Sequence, residues 1–127
     1  MSTILVVDDE PSIRAVIRAA LERAGHRLLE AADGAAALRM ARSHPPDLIV
    51  LDIALPQLSG LKVCRQLKAE AATARTPVLL LTGLVEQTQR QAAAEAGAEG
   101  LITKPFSPAG LVGQIEDTLR RTASASR

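Results

Sequence analysis

Leu48-Ile49-Val50-Leu51-Asp52 is an unbroken apolar run that stops on an acid. Pro45-Pro46 stands before it, and Pro56 and Gly60 shape the stretch that follows. A run this short, bounded by breakers and rich in branched side chains, reads as a strand buried on both faces. The same grammar recurs on either side. Thr3-Ile4-Leu5-Val6-Val7 ends in Asp8-Asp9, Val78-Leu79-Leu80-Leu81 ends in Thr82, and Leu101-Ile102-Thr103 ends in Lys104-Pro105. If these runs are parallel strands of one sheet, their polar ends gather at the carboxyl edge, where open α/β sheets bind ligands.

The stretches between the runs read as helices. Pro11 suits a first helical turn, Ile13, Val16, Ile17, Ala20, Leu21 and Ala24 follow at helical spacing, and Gly25 supplies a stop. A short strand is expected over residues 27–31, then a turn at Asp33-Gly34 and an Ala-rich helix to Arg42. A third helix carries Leu61, Cys64, Leu67 and Lys68. A fourth covers about residues 86–96, stopped by Gly97, and Ser107 can cap a last one bearing Leu111, Val112, Ile115 and Leu119. Five strands alternating with five helices, joined by right-handed crossovers, predict a doubly wound parallel sheet. The expected domain spans residues 1–121, with 122–127 as a small, polar, flexible tail.

At 127 residues the chain fits one domain, and 47% hydrophobic residues can supply its core. The formal net charge is +1, and Lys and Arg are scattered, which gives no footprint for nucleic acid or a membrane surface. With one Phe and no Trp or Tyr, stacking platforms for bases are lacking. The lone Cys64 excludes an intramolecular disulfide, and no stretch reads as a secretory signal or a membrane span. A cytoplasmic protein is expected.

Each strand end has an ordinary reading and a chemical one. Asp8-Asp9 could cap the following helix, or jointly hold a hard cation such as Mg²⁺. Asp52 could form a turn, or act as a carboxylate nucleophile toward phosphorus. Thr82 beside Gly83 could mark a strand-to-loop junction, or donate to a phosphoryl oxygen where the backbone approaches closely. Lys104 before Pro105 could be a surface lysine, or neutralise added phosphate charge, its direction fixed if the X-Pro bond is cis. Singly the ordinary readings prevail. Together the chemical ones occupy successive strand ends, which few structural explanations require.

With these residues in place the chain resembles the receiver domains of two-component response regulators, chemotaxis regulators among them. The matching segments are ILVVDDEPSIR, EAADGAAAL, PDLIVLDIALPQLSG, TPVLLLTG and AEAGAEGLITKPF, over roughly residues 4–121. The resemblance implies a flavodoxin-like three-layer sandwich with strand order 2-1-3-4-5. It makes Asp52 the phosphoacceptor for a phosphohistidine on a histidine kinase or phosphotransfer protein. Mg²⁺ would be bound by Asp9, Asp52 and the main-chain carbonyl of Ala54, with Asp8 acting mainly through water. Lys104 would pair with Asp52 or its phosphate, Thr82 would shift toward the phosphoryl group, and the fourth helix, fifth strand and fifth helix would form the readout face. The domain would not be an enzyme beyond its own phosphorylation and slow dephosphorylation.

Three departures from the family pattern stand out. Leu101 occupies a switch position that often carries Tyr or Phe, so an aromatic toggle cannot operate. Leu55 replaces a usual Met before Pro56, a conservative change. Ala54 and Leu84 stand two beyond Asp52 and Thr82, where polar groups often flank the water path, so slow loss of phosphate is expected. Cys64 is read as buried and inert, His26 and His44 as structural or exposed, and Phe106 as an anchor for the last helix. Rival readings fare worse. A haloacid-dehalogenase-type phosphohydrolase usually has a second Asp where Ala54 stands, and a nucleotide-binding domain wants a Gly-rich turn where Asp8-Asp9-Glu10-Pro11 stands. A degenerate receiver used only for protein contact is the remaining alternative, opposed by the presence of all five site residues.

Overall fold

The structure is a computed structural model that describes residues 2–83 and 87–125. Five parallel strands, β1 (Thr3–Val7), β2 (Arg27–Ala31), β3 (Leu48–Asp52), β4 (Val78–Thr82) and β5 (Gly100–Thr103), lie in the order β2-β1-β3-β4-β5. They alternate with α1 (Pro11–Arg23), α2 (Gly34–Ser43), α3 (Gly60–Ala69), α4 (Gln87–Glu95) and α5 (Pro108–Ala125). This is the doubly wound sheet and the strand order expected from the sequence.

Strand periodicity divides the core in two. Leu5, Val7, Ile49, Leu51, Val78 and Leu80 face one side, where α2, α3 and α4 contribute Ala37, Leu38, Ala41, Val63, Cys64, Leu67 and Ala93. Ile4, Val6, Leu48, Val50, Leu79 and Leu81 face the other, against Ile17 and Leu21 of α1 and Leu111 and Ile115 of α5. Each fully buried Leu or Ile contributes about 1.5–3 kcal/mol, so both layers hold the sheet firmly. Helix ends follow local chemistry. Gly25 and Gly97, at φ 89°, end α1 and follow α4. Ser107 Oγ accepts from the Gly110 N–H at 3.0 Å, and Phe106 packs against the α1/α5 side.

Two expectations change. Asp33 is the N-cap of α2, its carboxylate accepting from the Ala36 N–H at 2.8 Å, rather than only a turn residue. Helix α5 runs to Ala125, so residues 122–125, expected in a flexible tail, are helical. Helix-forming alanines favour continuation there, and Thr122 Oγ1 donates to the Thr118 carbonyl within the helix at 3.0 Å.

Gly60 is the glycine on which the site's geometry rests. It opens α3 directly against the end of β3, and its N–H donates to the Ile53 carbonyl at 2.9 Å. A Cβ there would collide with the Asp52 carbonyl oxygen and lie 2.8 Å from Ile53 Cα, both main-chain atoms. A Cβ at Gly83 would meet nothing within 4 Å. Gly60→Ala is therefore expected to lower the unfolding free energy by about 2 kcal/mol. Gly83→Ala is expected to stay within about 0.5 kcal/mol of the parent. Urea unfolding of the two variants checks the pair, and equal effects would contradict it.

Candidate functional site

The sheet register assembles the site. Val7 pairs with Leu51, so Asp8 leaves β1 beside Asp52 at the end of β3. Asp52 pairs with Leu81 and Thr82 with Thr103, which brings Thr82 and then Lys104 to the same edge. The Lys104 N–H donates to the Thr82 carbonyl at 2.7 Å, and the Lys104–Pro105 peptide is cis.

Asp8 is fully buried and Asp52 only 3% exposed. Lys104 Nζ donates to Asp8 Oδ2 and to Asp52 Oδ2, each at 3.1 Å. The remaining oxygens are held by main chain. Asp8 Oδ1 accepts from the Glu10 N–H at 2.9 Å and Asp52 Oδ1 from the Ala54 N–H at 3.2 Å. Thr82 is buried at the end of β4, and Ala54 is exposed beside Asp52.

The geometry decides against the ordinary reading of the acidic pair. Glu10 is the N-cap of α1, and no side chain caps that helix. Asp8 is occupied with Lys104 instead. The carboxylates of Asp8, Asp9 and Glu10 place ligand oxygens within 4.8 Å of one another, with Asp9 and Glu10 exposed. This is the group among the described residues suited to a metal ion. Its donors are all carboxylate oxygens, the chemistry that hard cations such as Mg²⁺ prefer. Asp52 joins it through Lys104 and Asp8. Sequence reading missed Glu10 as a member, although its place directly after Asp8-Asp9 could have signalled it.

Other singled-out residues fall elsewhere. Leu101 is partly buried on the α2/α3/α4 side, and its carbonyl accepts from Gln114 Nε2 at 3.1 Å. Leu84 lies outside the described residues. Cys64 is buried with its thiol donating to the Ala96 carbonyl at 3.4 Å, and burial pushes its pKa up to about 11, which leaves it unreactive. His26 bridges the Ser2 N–H at 3.3 Å and Glu116 at 3.1 Å, a structural role remote from the strand ends.

A family profile described as the response regulator receiver domain matches residues 4–116. The chain belongs to the response regulator receiver family. It is 42% identical over 123 residues to the alkaline phosphatase synthesis transcriptional regulatory protein PhoP of Bacillus subtilis, covering 97% of this chain and 50% of that protein. It is 44% identical over 120 residues to the phosphate regulon transcriptional regulatory protein PhoB of Pseudomonas aeruginosa, covering 94% and 52%. The receiver thus spans about half the length of the curated relatives it matches. Among solved structures, the Vibrio cholerae chemotaxis protein CheY4 superposes with a TM-score of 0.88 at 32% identity, covering 92% of this chain and 98% of that one. Receivers signal by phosphorylation in two-component systems, and nothing in this geometry favours the contact-only alternative. Among the described residues no helix is long and apolar enough to cross a membrane.

Burial, reinforced by the charge of Asp8, raises the pKa of Asp52 above the usual carboxylate range, against the pull of Lys104 and the Ala54 N–H. Burial pushes Lys104 the other way from its acid partners, whose hydrogen bonds and charges prevail and raise its pKa. Because the folded receiver holds the Asp52 proton more tightly than the unfolded chain does, ionisation of Asp52 costs stability. That cost grows as pH rises from the unfolded carboxyl value through the raised folded one. In metal-free buffer Asp52→Asn is expected to be more stable than the parent at pH 7, by on the order of 1 kcal/mol. The gain should fade below about pH 4, where the unfolded chain is protonated too. Urea midpoints at the two pH values check this, and a loss of stability at pH 7 would mean that pairing with Lys104 outweighs burial.

Proposed function

We propose that Asp52 is the phosphoacceptor of this receiver and that its donor is a phosphohistidine on a sensor histidine kinase or phosphotransfer protein. The observation that carries the reading is Lys104 bonded at 3.1 Å to both Asp8 and Asp52 at the carboxyl edge of the sheet. A carboxylate oxygen of Asp52 attacks phosphorus, forming an O–P bond as the P–N bond to the donor imidazole breaks. Asp9, Asp52 and the Ala54 carbonyl would hold Mg²⁺, with Asp8 behind them. When bound, the cation offsets negative charge on the nucleophile and the phosphoryl oxygens. Lys104 keeps a positive charge beside the new acyl phosphate, and the N–H groups near Ala54 and Gly83 are the donors for its oxygens. The chain acts on itself rather than turning over a substrate. The reaction belongs in the cytoplasm, where histidine kinases draw on ATP.

Signal output follows from a population shift. Thr82 moves toward the phosphoryl group, and Leu101 repacks behind it without an aromatic ring. The readout surface is α4, β5 and α5, offered to a partner of the pathway rather than to nucleic acid or a membrane. Ala54 is exposed beside Asp52 and has no polar group to orient an attacking water, and Leu84 is equally apolar, so the phosphorylated form is long-lived.

Intact-mass spectrometry after incubation with Mg²⁺ and acetyl phosphate, or with a phosphorylated histidine kinase, is expected to show one added phosphoryl group. The adduct should be lost in Asp52→Asn and blocked by chelation. Its persistence in the parent with Asp52→Asn unlabelled is the required pairing, and labelling of both would assign the acceptor elsewhere. The adduct should outlast minutes, and Ala54→Asn should shorten its life several-fold. Decay of the parent within seconds would contradict the water-path argument.

A further inference from the structure

Asp8 presents three polar groups to the site, and two are accounted for. Its carboxylate oxygens are held by Lys104 and by the Glu10 N–H, and its own N–H donates to the Ala31 carbonyl at 3.2 Å. Its carbonyl belongs to no helix ladder, because α1 begins with the Ile13 and Arg14 N–H groups donating to Glu10. The partner of that carbonyl is Arg14, whose Nη1 donates to it at 2.6 Å. Arg14 is in turn held from β2: its Nε donates to Glu30 Oε1 at 3.2 Å. The other oxygen of Glu30 accepts from Arg18, one turn further along α1, at 2.7 Å.

We propose that Arg14 is a positioning residue for the cation pocket, acting through the main chain of Asp8 and anchored by Glu30. The inference rests on the proposed reading of Asp9 and Asp52, with Asp8 behind them, as the acids of the cation pocket. Arg14 touches no reacting atom. It fixes the peptide that joins Asp8 to Asp9, and so the direction in which both carboxylates leave the end of β1. The planar guanidinium suits this task because it bonds a carbonyl and a carboxylate at once, which a lysine ammonium cannot match in direction. The arrangement is low in solvent exposure, with the Arg14 side chain 19% exposed against 43% for Arg18.

Two roles for Arg14 predict opposite signs. If its charge mattered most, a cation beside the acids would repel a metal, and removing it would tighten binding. If its geometry matters most, removing it loosens the acids and weakens binding. Groups that orient metal ligands from behind are worth about 10–100-fold in affinity.

The test is isothermal titration of the full metal-free chain with Mg²⁺ alone, alongside urea unfolding. Arg14→Met is expected to weaken Mg²⁺ binding about tenfold. Arg14→Lys should recover part of that loss, and Arg18→Met, which shares Glu30 but does not touch Asp8, should bind like the parent. Affinity unchanged or tighter in Arg14→Met overturns the proposal, as does an equal loss in Arg18→Met. A purely structural role would lower stability and leave the dissociation constant where it was, which also overturns it. If Arg14→Met does not fold, Arg14→Lys decides alone, a several-fold loss supporting the proposal and parental affinity overturning it. Failure of the parent to bind Mg²⁺, or parental binding by Asp9→Asn, would overturn the underlying site assignment instead, and the inference with it.

Discussion

One ammonium group sits between two buried carboxylates, and the arrangement at the sheet edge follows from that imbalance. Lys104 bonds Asp8 and Asp52 equally, yet one positive charge cannot neutralise two negative ones. Taking an ion out of water costs several kcal/mol unless its partners compensate. The hydrogen bonds from Glu10 and Ala54 satisfy the outward oxygens but bring no full charge. The site therefore carries a standing deficit of positive charge. Burial and Asp8 together raise the Asp52 pKa, which expresses the same deficit as proton affinity. A divalent cation would correct it, and a phosphoryl group arriving with such a cation would meet a site already short of positive charge. The instability and the proposed reactivity would then have one origin.

The sheet protects that arrangement from sliding. Every central strand is apolar on both faces, so a slip of one residue would exchange the residues of the two cores, and a slip of any size would separate Asp8, Asp52, Thr82 and Lys104. The α1/α5 core wants Ile4, Val6, Val50 and Leu79, and the opposite core wants Leu5, Val7, Leu51 and Leu80. Packing energy far from the edge thus sets distances at the edge. Gly60 adds a close approach to main-chain atoms that no side chain would allow, holding the start of α3 against the Asp52 main chain.

Elements with strong periodicity were legible in the sequence, as were the residues at the strand ends, because strand length and terminal polarity are local properties. Of the partnerships, the resemblance gave Lys104 with Asp52 but not Lys104 with Asp8. Nothing local says whether Asp8 caps α1 or faces Lys104, which lies 96 residues away. Asp33 shows the same ambiguity, since one carboxylate chemistry serves both a turn and a helix cap. The extent of α5 was missed because a small, polar stretch reads as a frayed end, although Thr122 bonds back to the Thr118 carbonyl one turn earlier. Arg14 was invisible for a further reason. An arginine on an exposed-looking helix position has no sequence mark that separates a solvated charge from one bonded to a carbonyl six residues earlier.

The helices differ in how much apolar surface they bury against the sheet, which bears on the proposed switch. Helix α3 buries Val63, Cys64 and Leu67, and α5 buries Leu111 and Ile115. Among the described residues, helix α4 buries Ala93 alone, with Ala96 just beyond it. An alanine methyl removes far less apolar surface from water than a leucine side chain, so among the described residues α4 is the helix with least hydrophobic stabilisation to lose by shifting. It also follows β4 in the chain, whose last residue is Thr82. On the proposed reading, a change at Thr82 would bear on the element that is cheapest to move. Elements that move on ligand or phosphate binding are drawn from the low-stability part of a fold by necessity. If phosphorylation shifts Thr82 as proposed, the alanine-lined contact of α4, with Leu101 packed on the same side of the sheet, is where the receiver would have room to switch.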